Sequence, residues 1–326
     1  MTQEILTIWT NAQLPENAAR LLSERIAPHR LIYAGEMSAS NLATGAGDAA
    51  LSEADVAFGQ PDVTQVMSSA KLRWVHLTSA GYTAYDRDDL REALRNRGAQ
   101  LTNSSGVYDE PCAQHTLAMM MALARRLPQS LQTQLADHSW PIAERRIESR
   151  LLVGQTALIF GFGAIAERLC ELLAPFRMNL LGVRRNVTGN EPIKMIGEDC
   201  LDEYLPKADH VVNILPANAS TAKYFDAAKF KLMKPDAIFY NIGRGTTVDQ
   251  TALIDALQSG APATAYLDVT DPEPLPPEHP LWTAPNCFIT PHTAGGFDLE
   301  FETLAEHFLE NLRRFTAGES LRNRVI

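Results

Sequence analysis

Residues 154–185 read Gly-Gln-Thr-Ala-Leu-Ile-Phe-Gly-Phe-Gly-Ala-Ile-Ala-Glu-Arg-Leu-Cys-Glu-Leu-Leu-Ala-Pro-Phe-Arg-Met-Asn-Leu-Leu-Gly-Val-Arg-Arg. The apolar run Thr156–Phe160 has strand length. Gly161, Gly163 and Ala166 follow as G-x-G-x-x-A. Ile165–Phe176 has helical spacing, and Met178–Val183 reads as a second strand. Strand, tight turn, helix and strand make the βαβ unit that seats a dinucleotide pyrophosphate on a helix N-terminus. Gly161 allows the turn, Gly163 lets the backbone approach the phosphates, and Ala166 lets helix pack on strand. The candidate cradle is therefore Gly161, Phe162, Gly163, Ala164 and Ile165.

The end of the second strand tells which dinucleotide is expected. An acidic residue there bonds the adenosine ribose hydroxyls in NAD sites. This chain has Arg184 and Arg185, with no carboxylate between Met178 and Gly189. Two guanidiniums suit a 2′-phosphate, because Arg pairs with phosphate through a planar fork. NADP(H) is expected ahead of NAD(H), which stays possible. The alternative is a solvated Arg pair at a strand end.

Working outward, 326 residues predict two domains. With 45% hydrophobic and 21% charged residues the composition is that of an ordinary globular protein. A net charge of −10 argues against a nucleic-acid or anionic-membrane surface. Cys112, Cys170, Cys200 and Cys287 are widely spaced, without a C-x-x-C pair. Reduced thiols, no metal site and a cytoplasmic setting are expected. The N-terminal residues carry no basic, apolar leader pattern, and the run Leu117–Ala124 is too short to span a bilayer.

Short apolar strands at Ile5–Trp9, Leu31–Ala34, Ala54–Phe58, Trp74–Leu77 and Ala99–Leu101 alternate with helical stretches such as Pro15–Ile26 and Asp88–Arg97. This predicts a small parallel α/β domain. After the fourth strand, Thr78-Ser79-Ala80-Gly81-Tyr82 is either an anion nest or a plain βα turn. A long helix is expected with Asp109 as N-cap and Pro111 in its first turn, running to Arg126. Its His115 reads as a polar contact rather than a ligand. Residues 129–150, with Trp140-Pro141, read as an excursion over the surface or onto a partner. Beyond the dinucleotide unit, strands are expected at His210–Leu215, Ala237–Ile242, Ala263–Val269 and Cys287–Thr290, with a final helix at Phe297–Phe315.

Arg244, Glu273 and His292 fall at the C-terminal ends of these strands or in the loops after them. Arg suits the clamping of a carboxylate and a ketone oxygen. His suits proton donation near neutral pH. A carboxylate beside the His favours its charged form. Singly, each residue also has a structural reading: a backbone contact, a solvated turn or a core histidine.

Asn241-Ile-Gly-Arg-Gly-Thr-Thr-Val-Asp249 resembles the signature of the D-isomer-specific 2-hydroxyacid dehydrogenases. So do Leu267-Asp-Val-Thr-Asp-Pro-Glu-Pro-Leu275, Pro291-His-Thr-Ala-Gly295, Asn103-Ser-Ser-Gly-Val-Tyr108 with Ala124-Arg-Arg-Leu-Pro128, and the Ser79-Ala80-Gly81 loop. The resemblance runs along nearly the whole chain. It implies two Rossmann-like parallel-sheet α/β domains, the substrate domain flavodoxin-like and discontinuous in sequence. Residues 1–103 and 291–326 would form the substrate domain and 104–290 the dinucleotide-binding domain, with a cleft that closes by hinges near Asn103 and Pro291. It implies a catalytic triad of Arg244, Glu273 and His292, an Asp268 that bonds the nicotinamide amide, and a substrate carboxylate on Ser79, Ala80 and Gly81. It marks Leu215, Pro216, Thr221, Ile242, Gly243, Ala294 and Gly295 as further cofactor contacts, and it implies a homodimer. Three positions depart from the family pattern: Gln114 stands for its Glu, Ala166 for its third glycine and Arg184 for its Asp. The Val-Thr-Asp-Pro-Glu-Pro-Leu-Pro stretch is similar to glyoxylate/hydroxypyruvate reductases, which often use NADPH. The alternative reading is a dinucleotide-sensing protein of the corepressor kind, with little turnover.

Overall fold

The computed structural model describes residues 4–38, 40, 44–185, 187 and 189–326. The chain divides into two compact units, one of residues 1–108 with 297–326 and one of residues 109–296.

The first unit carries five strands: β1 (Thr7–Thr10), β2 (Arg30–Tyr33), β3 (Val56–Gly59), β4 (Trp74–Leu77) and β5 (Gln100–Thr102). All pair in parallel, in the order β2-β1-β3-β4-β5. β3 and β4 are buried along their whole length, as strands covered on both faces must be. The helix Glu300–Ala317 belongs to this unit because Phe308 stacks on Phe58 and Trp74, with ring centroids 4.3 and 5.3 Å away. Burying a ring of this size is worth roughly 1.5–3 kcal/mol. The C-terminal segment then pairs along β5, with Val325 N–H donating to Leu101 O at 2.8 Å.

The second unit carries β6 (Thr156–Phe160), β7 (Asn179–Val183), β8 (Lys194–Ile196), β9 (His210–Asn213), β10 (Ile238–Asn241), β11 (Thr264–Leu267) and β12 (Cys287–Ile289). They form one parallel sheet in the order β12-β11-β10-β9-β6-β7-β8. The strand order reverses between β6 and β9. That switch point is where open α/β sheets take ligands, at the carboxyl ends of the strands. Both units are thus parallel-sheet α/β domains of the Rossmann-like class, as expected.

One local expectation needs correction, and two features go beyond what was expected. The long helix spans Ser105–Ala124, so Asp109 is not its N-cap and Pro111 lies inside it. Asn103 supplies the start instead, its Oδ1 accepting from Ser105 N–H and Oγ–H at 3.3 and 2.9 Å. β8 was not anticipated, since its three residues carry no pattern of their own. The excursion expected at 129–150 is mostly helical: Leu127–Ala136 and Ile142–Glu148 cover most of the segment.

Candidate active site

The turn after β6 is built for close approach. Gly161 sits at φ +85°, and a Cβ there would lie 2.8 Å from Ile214 O, so β6 and the end of β9 meet through a missing side chain. Gly163 precedes the helix Ala164–Leu173 without a side-chain cap. A Cβ on Gly163 would meet nothing within 4 Å. The N–H groups of Ala164 and Ile165 bond no described residue, as a pyrophosphate site requires. Phe162 points its side chain into the core, leaving only its backbone to the cradle. The residues fit a dinucleotide.

Past β9, Leu215 N–H donates to Asn213 Oδ1 at 3.1 Å, and Thr221 Oγ1 closes the loop onto Pro216 O at 2.6 Å. At the end of β7, Arg184 pairs with Glu191 at 3.2 Å, and the Glu191 side chain is only 5% exposed. Arg185 is exposed and bonds Ser220 Oγ. Glu191 lies just beyond the carboxylate-free stretch Met178–Gly189. It folds back through Gly189, whose N–H it accepts at 2.8 Å.

After β10, Ile242 and Gly243 are buried and Arg244 follows. A buried polar lattice fixes the Arg244 backbone. Asn241 Nδ2 and Thr247 Oγ1 donate to Arg244 O at 3.1 and 2.6 Å, and Asn213 Nδ2 ties Asn241 and Thr247 together at 3.0 and 2.7 Å. Gly245 must lack a side chain, because a Cβ there would collide with Thr270 O. The Arg244 guanidinium donates from Nη1 to Gly243 O at 2.6 Å. Its other N–H groups bond no atom among the described residues. Burial lowers its pKa, opposed by Glu273 and by Cys112.

After β11 and β12 the chain places Glu273 against His292, Oε2 to Nδ1 at 2.7 Å. Burial pushes the Glu273 carboxyl upward, but the His292 hydrogen bond and charge, Thr270 N–H and Arg244 outweigh it and hold it below its ordinary value. His292 adopts φ +53°, in the left-handed region that costs a residue with a side chain. Asp268 over-determines that turn. Its carbonyl accepts His292 N–H at 2.8 Å, and its carboxylate accepts the N–H groups of Thr293 and Ala294, each at 2.9 Å. Ala294 is buried and Gly295 half-buried beside it. One unit thus brings Arg244, Glu273 and His292 to the strand ends that also hold the dinucleotide turn. Such a set can clamp an anion and deliver a proton.

Ser79, Ala80 and Gly81 lie in the first unit, after β4. Every carbonyl from Leu77 to Gly81 is occupied: by Ser104 Oγ, Tyr108 OH, Ser104 N, Asn103 Nδ2 and Ser79 Oγ, at 2.7, 3.1, 3.0, 2.6 and 2.6 Å in chain order. The N–H groups of Ser79, Ala80 and Gly81 bond no described residue. Backbone N–H groups left free in this way could receive an anion. Gln60 steadies it through Thr78 and Ser79 at 3.1 and 3.0 Å. Sequence reading missed these supports, and the lattice of Asn213 and Thr247. Only the buried polar residues within apolar strands hinted at them.

Comparison with known proteins follows the same lines. Residues 117–294 match the family model for the D-isomer specific 2-hydroxyacid dehydrogenase, NAD binding domain. A glyoxylate reductase of Korarchaeum cryptofilum is 32% identical over 259 residues, covering 77% of this chain and 75% of that protein. A glyoxylate reductase/hydroxypyruvate reductase of Mus musculus is 30% identical, covering 78% of this chain and 77% of that protein. Among solved structures, a D-isomer specific 2-hydroxyacid dehydrogenase from Xanthobacter autotrophicus in complex with NADPH and MES superposes with a TM-score of 0.81 at 25% identity, covering 99% of this chain and 98% of that one.

Proposed function

The chain belongs to the D-isomer-specific 2-hydroxyacid dehydrogenase family, and we propose that within it the protein reduces a small 2-keto acid of the glyoxylate/hydroxypyruvate type to the D-2-hydroxy acid, with NADPH preferred. The observation that carries the reading is the Glu273–His292 pair and the half-free Arg244 guanidinium at the same strand ends as the dinucleotide turn. The relatives that are named glyoxylate reductases support the substrate class. Turnover of glyoxylate or hydroxypyruvate with NADPH is the direct test.

When bound, the dihydronicotinamide supplies a hydride to the ketone carbon. Gly161, Gly163 and the first turn after them hold the pyrophosphate, with Leu215, Pro216, Thr221, Ile242, Gly243, Ala294 and Gly295 along the cofactor and Asp268 on the carboxamide. Arg244 holds the substrate carboxylate and polarises the ketone oxygen. Ser79, Ala80 and Gly81 offer N–H groups to that carboxylate. His292 gives its proton to the oxygen as charge develops there, and Glu273 keeps the ring oriented and charged.

For the 2′-phosphate, Arg185 with Ser220 is the main grip, because the charge of Arg184 is already met by Glu191. Arg185→Ala should raise the Kd for NADPH about 10-fold or more, the cost of one or two charge-assisted hydrogen bonds, and leave NADH unchanged. Arg184→Asp should strengthen NADH binding by restoring a ribose-binding carboxylate. Titration of both cofactors checks this. An unchanged NADPH/NADH ratio in both variants would make the pair a solvated strand end.

The homodimer reading rests on residues 127–153. Leu131, Leu135, Trp140, Ile142, Ile147 and Leu151 are 54–86% exposed there. Neither helix of the segment buries a residue. Exposed apolar side chains in this number mark an interaction site. Sedimentation should give about twice 35.9 kDa, and the pair Leu135→Glu with Ile147→Glu should give one chain mass. A monomeric parent protein at micromolar concentration contradicts it.

A further inference from the structure

Behind Asp268 lies a line of side chains that the reaction does not consume. Thr290 Oγ1 donates to Asp268 Oδ1 at 2.5 Å. Having spent its proton there, Thr290 can only accept from Tyr266 OH, which bonds it. Tyr266 in turn can only accept from His115 Nε2, which contacts the phenol oxygen and lies 3.4 Å from Thr290 Oγ1. His115 Nε2 is itself 3.8 Å from Asp268 Oδ1. The proton order is therefore forced from one end to the other: imidazole N–H to phenol, phenol to threonine, threonine to carboxylate. Chains ordered this way strengthen each bond by polarising the next. Burial lowers the pKa of His115, opposed by Asp268, so the ring enters the chain neutral, with its proton on Nε2.

The bookkeeping at Asp268 is unequal. Oδ1 accepts from Thr290 and Thr293, while among the described residues Oδ2 accepts only from Ala294. Asp268 is 2% exposed, so an unused lone pair there has no bulk water to fall back on. We propose that His115 is a positioning residue for the cofactor: through Tyr266 and Thr290 it saturates Oδ1 and so commits Oδ2 to the nicotinamide carboxamide N–H. The inference rests on the reading that Asp268 faces that amide. It extends the site to three residues in the long helix, β11 and the end of β12, none of which reaches the reacting atoms.

The test compares two cofactors, NADPH and its 3-acetylpyridine analogue, which keeps the carbonyl but has no amide N–H. Binding is read by quenching of protein fluorescence in the parent chain and in His115→Ala, His115→Gln, Thr290→Val and Asp268→Asn. His115→Ala and Thr290→Val should each weaken NADPH about 5- to 10-fold, the size of one perturbed hydrogen bond to a charged group, and shift the analogue less than about 2-fold. His115→Gln retains an N–H donor and should recover most of the loss. Equal weakening of both cofactors would mean a merely structural role, and no weakening of either would mean no role; both overturn the proposal. If Asp268→Asn leaves the NADPH/analogue ratio unchanged, Asp268 does not face the amide. That outcome removes the underlying reading as well, and is distinct from a ratio that Asp268 controls and His115 does not.

Discussion

His292→Ala should lower kcat/KM for 2-keto acid reduction about 10³- to 10⁴-fold, at the upper end of what a positioned general acid contributes. NADPH should still bind within about 2-fold, because the ring reaches Glu273 and none of the cradle residues. The loss should fall on kcat as much as on kcat/KM, since proton delivery is realised only as the oxygen gains charge. Glu273→Gln should be milder, about 10- to 100-fold, because it leaves the acid in place and removes the carboxylate that favours its charged form. At the acid end the carboxylate itself matters. Its folded pKa is depressed, so the contribution of the pair is complete above the ordinary carboxylate range and is lost as pH drops through the lowered value. The parent protein should keep the pair into mildly acidic buffer. A pH profile of Glu273→Gln that overlays the parent profile would remove Glu273 from the mechanism. Near-normal turnover in His292→Ala would remove His292.

Arg244→Ala is the second large effect. The guanidinium is mostly buried, its backbone is locked by Asn241 and Thr247, and among the described residues only Nη1 finds a partner, Gly243 O. A substrate carboxylate would complete it through a fork of charge-assisted bonds worth about 1.5–3 kcal/mol each, so the alanine variant should lose roughly 10³-fold or more in kcat/KM. Lysine keeps the charge and loses the fork. Arg244→Lys should therefore remain about 10²-fold down instead of recovering. The split between constants is informative: loss of carboxylate binding raises KM, and loss of ketone polarisation lowers kcat. Initial rates at varied keto acid, with the cofactor saturating, separate the two. A lysine variant equal to the parent protein would make Arg244 a simple point charge.

Much of this was legible from the chain. The run Thr156–Phe160 followed by Gly161 and Gly163 gave away β6, its turn and its helix, because strand length, glycine spacing and helical periodicity all agreed. The positions of Arg244, Glu273 and His292 followed from strand ends, since a parallel sheet puts its ligand residues there. What stayed hidden was tertiary. The helix start moved from Asp109 to Ser105 because Asn103 caps it from a loop that reads equally well as a turn. The unit boundary falls inside that same helix, at Tyr108–Asp109, where no change of composition marks it. Glu191 escaped notice because its partner Arg184 is seven residues away in the chain. The two helices of 127–148 bury no residue, although Leu127, Leu131 and Leu135 are spaced along one helical face.

The measurement that bears most directly on the account is the initial rate of NADPH and NADH oxidation with glyoxylate, hydroxypyruvate, pyruvate, phenylpyruvate and a branched 2-keto acid, with the chirality of the product assigned. Rapid oxidation of NADPH with glyoxylate or hydroxypyruvate is expected, with slower oxidation of NADH and a D-hydroxy acid wherever the product is chiral. Silence across the panel with both cofactors, in protein that binds NADPH, would contradict it and favour a dinucleotide-sensing protein that keeps the triad without turnover.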